Sequence, residues 1–140
     1  MASVIYNNAK KLLMNGGLDL DTDTIKVALV TSTYVPNIDT HTMFSDVTNE
    51  VVGTGYTAGG ATLATATVVA DNTGNTGVFD AADTTWTTST ITARGAVIYK
   101  STGTASTSPL LAYVDFVTDK ISTAGTFTIA WNASGIITLA

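Results

Sequence analysis

Residues 50–63 read EVVGTGYTAGGATL. Val51 and Val52 lead into glycines at 53 and 55, and Ala58 stands where a dinucleotide-binding fingerprint takes Gly or Ala. Such a loop holds a pyrophosphate only between a strand and a helix, because the amides of the helix N-terminus bind the anion. Here the next stretch is ATLATATVVA (61–70), a Thr/Val/Ala run of β type. No Lys or Arg lies between Lys26 and Arg94, and the Gly-Lys-Ser/Thr of a P-loop is absent. Asp71 lies downstream at about the spacing of the ribose-binding acid, but within a cluster of turn residues. The stretch therefore reads as a glycine-rich bend with Tyr56 as its anchor, and the chain around it as β rather than α/β.

The flanking sequence repeats that pattern. TIKVALVT (24–31) alternates Ile25, Val27 and Leu29 against Lys26 and Ala28, as a strand does. GAVIYK (95–100) gives a strand through Ala96–Lys100. LLAYVDFVT (110–118) is the strongest: Leu110, Ala112, Val114 and Phe116 point one way, Leu111, Tyr113, Asp115 and Val117 the other. TDKISTAG is expected to turn the chain. TFTIAWN (126–132) and the closing residues 136–139, linked by Ala133-Ser134-Gly135, are expected to pair as a hairpin. DNTGNTG (71–77) is turn chemistry. STGTASTSP (101–109) is a polar loop. Pro36-Asn37 suggests a turn, and DTHTMFSDV a short helical turn capped by Thr40.

Only the N-terminal part is helical by period. Ser3 is the expected N-cap, Ile5, Tyr6, Ala9, Leu12 and Leu13 recur at spacings of three and four, and Gly16-Gly17 ends the run. The expectation is a single β domain over 1–140: a helix at about 3–15, a β region at about 24–140, and an antiparallel sandwich or barrel of about seven to eight strands.

Composition narrows the partners. Charged residues are 12% of 140, about half the usual share. Net charge is −5 with six basic residues, which argues against nucleic acid and anionic membranes. No apolar run is long enough to span a bilayer. The absence of cysteine excludes disulfides, thiolate metal sites and a cysteine nucleophile. Threonine, with 28 residues, is the outlier. It suits the solvent face of a sheet, and such a weakly charged surface suits protein–protein packing.

Chemistry-bearing residues are sparse. DLDTDT (19–24) alternates Asp19, Asp21 and Asp23, but Thr24 and Val30 stand where a calcium loop needs Gly and Glu. His41 is the only histidine, and no G-x-S-x-G elbow accompanies it. Glu50 is the only glutamate. Asp115 interrupts an apolar strand and is expected to pair with Arg94 or Lys100 across strands. Trp86 and Trp131, with Phe79, Phe116 and Phe127, read as core aromatics. Asn132-Ala133-Ser134 matches a glycosylation sequon. No catalytic, cofactor-binding or metal-binding residue is assigned.

Three segments, KVALVTSTYVPNIDTHTMFSDVTNEVVGTGYTAGGATL (26–63), DTTWTTSTITARGAVIYK (83–100) and LLAYVDFVTDK (110–120), resemble a group of small virion proteins of tailed bacteriophages. The resemblance runs over nearly the whole chain. It implies a non-enzymatic structural protein of the particle, located in the virion after assembly in the bacterial cytoplasm. The role it implies is capsid cement or decoration bound to the major capsid protein, with a tail component (tube, terminator or fibre-associated) as the alternative. A carbohydrate- or receptor-binding β module, with Trp86 and Tyr56 as its platform, is a further reading. A homo-oligomer is expected. The N-terminal helix and the loops 32–60 and 101–109 are the expected contact elements, with Tyr6, Tyr34, Phe44, Tyr56 and Trp86 as candidate interface residues.

Overall fold

A computed structural model describes residues 2–140. Its strands are β1 (Ala2–Ile5), β2 (Ile25–Val30), β3 (Ala61–Thr62), β4 (Thr67–Asp71), β5 (Thr76–Asp80), β6 (Thr84–Lys100), β7 (Leu110–Ile129) and β8 (Ile137–Leu139). One helix, α1 (Asn7–Met14), follows β1. The strands form two antiparallel sheets, β1-β7-β6-β2-β3 and β4-β5-β8, arranged like a sandwich without barrel closure.

Chain entry differs from the helical expectation. Ser3 is not an N-cap: it lies in β1 opposite Val114. The β-branched pair Val4-Ile5 takes the free edge of β7, and the helix starts only after Tyr6. Its end follows the expected glycine stop. Gly16 takes φ +77 and the Gly17 amide bonds the Leu12 carbonyl at 2.8 Å, a Schellman closure.

The inner part of the large sheet, where β2 meets the end of β6 and the start of β7, is buried on both faces. Val27 and Leu29 enter the main core with Ala96, Ile98, Leu111 and Val114, where Phe79 and Ile137 of the small sheet also sit. Ala28 and Val30 face the other way, with Val97, Tyr99, Leu110 and Tyr113, under Ile38, Phe44 and Val47 of the long loop. Leu110 and Ala112, expected on one face, are split by a register shift at Ile98/Tyr99. A one-residue slip exchanges faces.

The largest departure is the length of β6 and β7. TDKISTAG does not turn the chain: β7 runs through it for 20 residues beside the 17-residue β6. The turn-prone residues are spent on bulges instead. Val117 (φ 71) and Ala124 (φ 47) on β7 and Thr88 (φ 49) on β6 take left-handed conformations where the register shifts. Ser89 seals the middle bulge: its hydroxyl meets the Ser122 hydroxyl at 2.8 Å and the Trp86 and Gly125 carbonyls at 3.0 Å. Along the outer half of β6 one face is buried through Trp86, Ser89, Ile91 and Ala93, while Thr85, Thr90 and Thr92 are exposed.

Two further expectations change. Residues 61–70 are not one strand: β3 belongs to the large sheet and β4 to the small one, with buried Leu63 at the crossing. The last two strands do not form a hairpin. One side of β7 is already occupied by β6, and Asn132–Gly135 delivers β8 to the free edge of β5.

Candidate interaction surface

The GTGYTAGG stretch lies flat on the body, and its route explains its glycines. A Cβ on Gly53 would overlap the Thr90 carbonyl oxygen. Gly55 (φ +80) passes within 2.8 Å of the Ser89 Cα by the same measure. Gly60 (φ +74) lies against the Val27 carbonyl and Ala28. Only a residue without Cβ lets two backbones approach so closely. The chain then enters β3, so no helix N-terminus follows to hold a phosphate.

Tyr56 is the anchor of this loop. Its hydroxyl donates to Glu50 Oε1 at 2.7 Å and accepts the Leu29 amide at 2.9 Å. The same carboxylate oxygen accepts the Gly59 amide at 2.6 Å, and Tyr99 donates to the Gly59 carbonyl at 2.7 Å. Glu50 thus ties both ends of the bend together. Its signal in the sequence is its place: the one glutamate of the chain stands at the mouth of a glycine loop. Tyr56→Phe is expected to cost about 1–3 kcal/mol, because it leaves the buried Leu29 amide and one Glu50 bond unmet. Chemical denaturation of the two proteins measures it.

The other chemistry-bearing residues are also engaged in holding loops. His41 Nδ1 accepts the Asn37 amide at 3.3 Å and lies 3.0 Å from the Tyr34 hydroxyl, which in turn meets Tyr6 at 2.8 Å. Asp46, rather than Thr40, caps the short turn Phe44–Asp46. It accepts the Thr42 and Met43 amides at 2.8 and 3.0 Å, and these bonds hold its carboxyl below the usual range. Asp115 pairs with Arg94 at 3.0 Å, so that expectation resolves to Arg94. The Val117 amide, at 2.7 Å, is the larger cause of its lowered pKa. Lys100 instead meets Asp23 at 2.9 Å. Asp23 also accepts the Asp19 amide, so DLDTDT is a bonded turn between α1 and β2. Among the described residues, no group of three or more His, Asp or Glu is placed to hold a metal.

All five tyrosines are held above the ordinary phenol range, with burial as the largest cause in each case. Tyr99 is pushed up to about 12 by burial and then by the Glu50 charge. Tyr6 and Tyr56 are raised further, helped by hydrogen bonds to Tyr34 and Glu50. A raised folded pKa favours the neutral phenol in the native state. That contribution is intact below the ordinary value of about 10 and is lost as pH rises through the folded values. Alkaline titration is therefore expected to unfold the protein cooperatively from about pH 10 to beyond 12, with phenolate absorbance and circular dichroism changing together. Free phenol titration near 10 with an intact fold is the contrary result.

The five candidate interface aromatics are packed into the body. Tyr6 and Tyr34 are buried beneath the loop on the second face. Phe44 stacks on Tyr99 with centroids 4.1 Å apart and planes 7° apart. Trp86 is buried between Tyr56 and Phe127, with centroid distances of 5.9 and 6.0 Å. This agrees with Trp86 as a core aromatic. Among the described residues the large exposed apolar side chains are others: Val4, Met14, Val35, Val52, Val68, Val69, Val117, Ile121 and Leu139. Val68 and Leu139 flank a groove of about 380 Å³ between the small sheet and the turn after α1.

Comparison of the chain with protein-family models, with curated proteins and with solved structures finds no match.

Proposed function

We propose that the protein is a non-enzymatic structural component of a tailed-phage virion, a cement or decoration protein that binds and stabilises the shell built by the major capsid protein. The reading begins from the sequence resemblance. The segments that carry it, 26–63, 83–100 and 110–120, supply β2, β3, β6 and most of β7, the framework of the large sheet. The observation that carries it furthest is the use made of Glu50, His41, Asp46 and Asp115. Each holds backbone amides of a loop or bulge in place. Residues 31–60 are thereby held in shape, and the Tyr56–Leu29 and Tyr99–Gly59 bonds fasten them to the sheet as a preformed surface; rigid surfaces bind with less ordering cost. Around them lies a hydroxyl-rich, weakly charged exterior that is easily desolvated against a neighbour.

The test adds purified protein to empty shells that lack it. Saturable binding and increased resistance to heat or osmotic shock are expected. Shells that neither bind it nor gain strength would overturn the cement role. Labelled protein found only on the tails of intact virions would transfer the reading to a tail component.

A further inference from the structure

Sheet edges invite pairing by other chains, and proteins blunt them with charges, bulges, proline or shortness. Most free edges here are blunted. β3 and β8 have two and three residues. The outer edge of β7 carries the Val117 bulge followed by Asp119 and Lys120. The outer half of β6 is bridged by the glycine bend, where the Thr90 amide bonds the Thr54 carbonyl at 2.9 Å.

β4 is different. TVVAD (67–71) is an edge strand paired only with β5, and all five residues are exposed. It has no proline, glycine, lysine or bulge. Val68 (48% exposed) shares the face of Phe79 and Ile137 but is only half covered, and Val69 (55% exposed) points to the opposite face, so each keeps about half of its surface free within one chain. The hairpin is nevertheless well made. The Thr73 and Gly74 amides bond Asp71 Oδ1 at 3.0 Å across the turn.

We propose that β4 pairs antiparallel with β4 of a second copy about a two-fold axis through Val69, joining the two small sheets into one. The register is self-complementary. Val69 faces its mate, Val68 faces Ala70, and Thr67 faces Asp71, so no two like charges stand opposite. The nearest carboxylates, Asp71 and the mate's Asp80, lie two strand spacings apart, roughly 10 Å, where salt screens them. Pairing also extends the apolar row Val68–Phe79–Ile137 across the axis, continuing the groove beside it. The inference does not rest on the virion reading, and isolated protein tests it.

The chain has no cysteine, so single-cysteine variants along 67–71 report the register directly. Val69→Cys is expected to cross-link under mild oxidation at least tenfold faster than Val52→Cys, a 98% exposed loop control. Thr67→Cys and Asp71→Cys should approach the control rate. Wild type should sediment at twice the 14.4 kDa chain mass, more completely at higher salt. Val69→Lys places two ammonium groups face to face and should sediment as a single chain with an unchanged circular dichroism spectrum. A monomeric wild type overturns the proposal. So does an oligomer whose mass Val69→Lys leaves unchanged, or cross-linking at Val69 no faster than at Val52.

Discussion

Gly60→Ala is expected to cost on the order of 3 kcal/mol and to lower Tm by about 10 °C. Two effects add at this position. The backbone sits at φ +74, which costs a residue with a side chain about 1 kcal/mol or more. The new methyl group would also overlap the Val27 carbonyl oxygen and approach the Ala28 Cα within 2.7 Å. Both neighbours are backbone of a central strand with no freedom to move aside. Gly16→Ala is the internal control: its φ is +77, and nothing lies within 4 Å of the added Cβ. It should lose only the conformational part, about 1 kcal/mol. Equal losses in the two variants, measured by thermal unfolding, would mean that the close approach at Gly60 contributes nothing.

Trp86→Ala is expected to cost about 3–5 kcal/mol, a substantial part of the roughly 5–15 kcal/mol that stabilises a domain. Trp86 is the aromatic contact between the outer half of the β6–β7 ribbon and the glycine bend, beside the backbone contacts at Ser89 and Thr90. It lies against Tyr56 on one side and meets Phe127 edge-on at 71°. Trp86→Phe keeps an aromatic ring there and should lose less than half as much. Hydrogen exchange should show the damage first at residues 84–93 and 120–129. Uniform loss of protection across β2 and β7 would mean that the ribbon has no separate stability.

Much of this architecture can be read from the residues. Alternation over 25–30 marks a strand, Gly16-Gly17 marks the helix stop, and Asn and Gly at 72–75 mark the β4–β5 turn. The aromatic core around Trp86 and Phe127 is legible for the same reason. The continuity of β7 is not, because Asp119, Ser122 and Gly125 suit a bulge as well as a reversal, and the partner strand decides between them. Thr88 bulges on β6 beside Ala124, and that pairing is invisible along the chain. The fate of β8 is hidden likewise: proximity suggests β7 as its partner, but the edge left open was that of β5. The anchoring role of Tyr56 is legible in its loop, but its bond to Glu50 depends on a path that only the folded glycines permit.

The pairing of β1 with β7 sets the order of folding. Ala2 meets Asp115 and Ile5 meets Ala112, so this contact closes a loop of more than a hundred residues. β2 meets β6 across a shorter but still long separation, Ile25 with Lys100. Contacts this distant in sequence make closure slow, on the order of milliseconds to seconds. The local hairpins β4–β5 and β6–β7 can form first. Until β1 docks, the first part of β7 is an open edge in its most apolar stretch, and the nascent chain is most vulnerable to self-association there. Deleting residues 2–5 should therefore harm the yield of folded protein more than the stability of whatever folds.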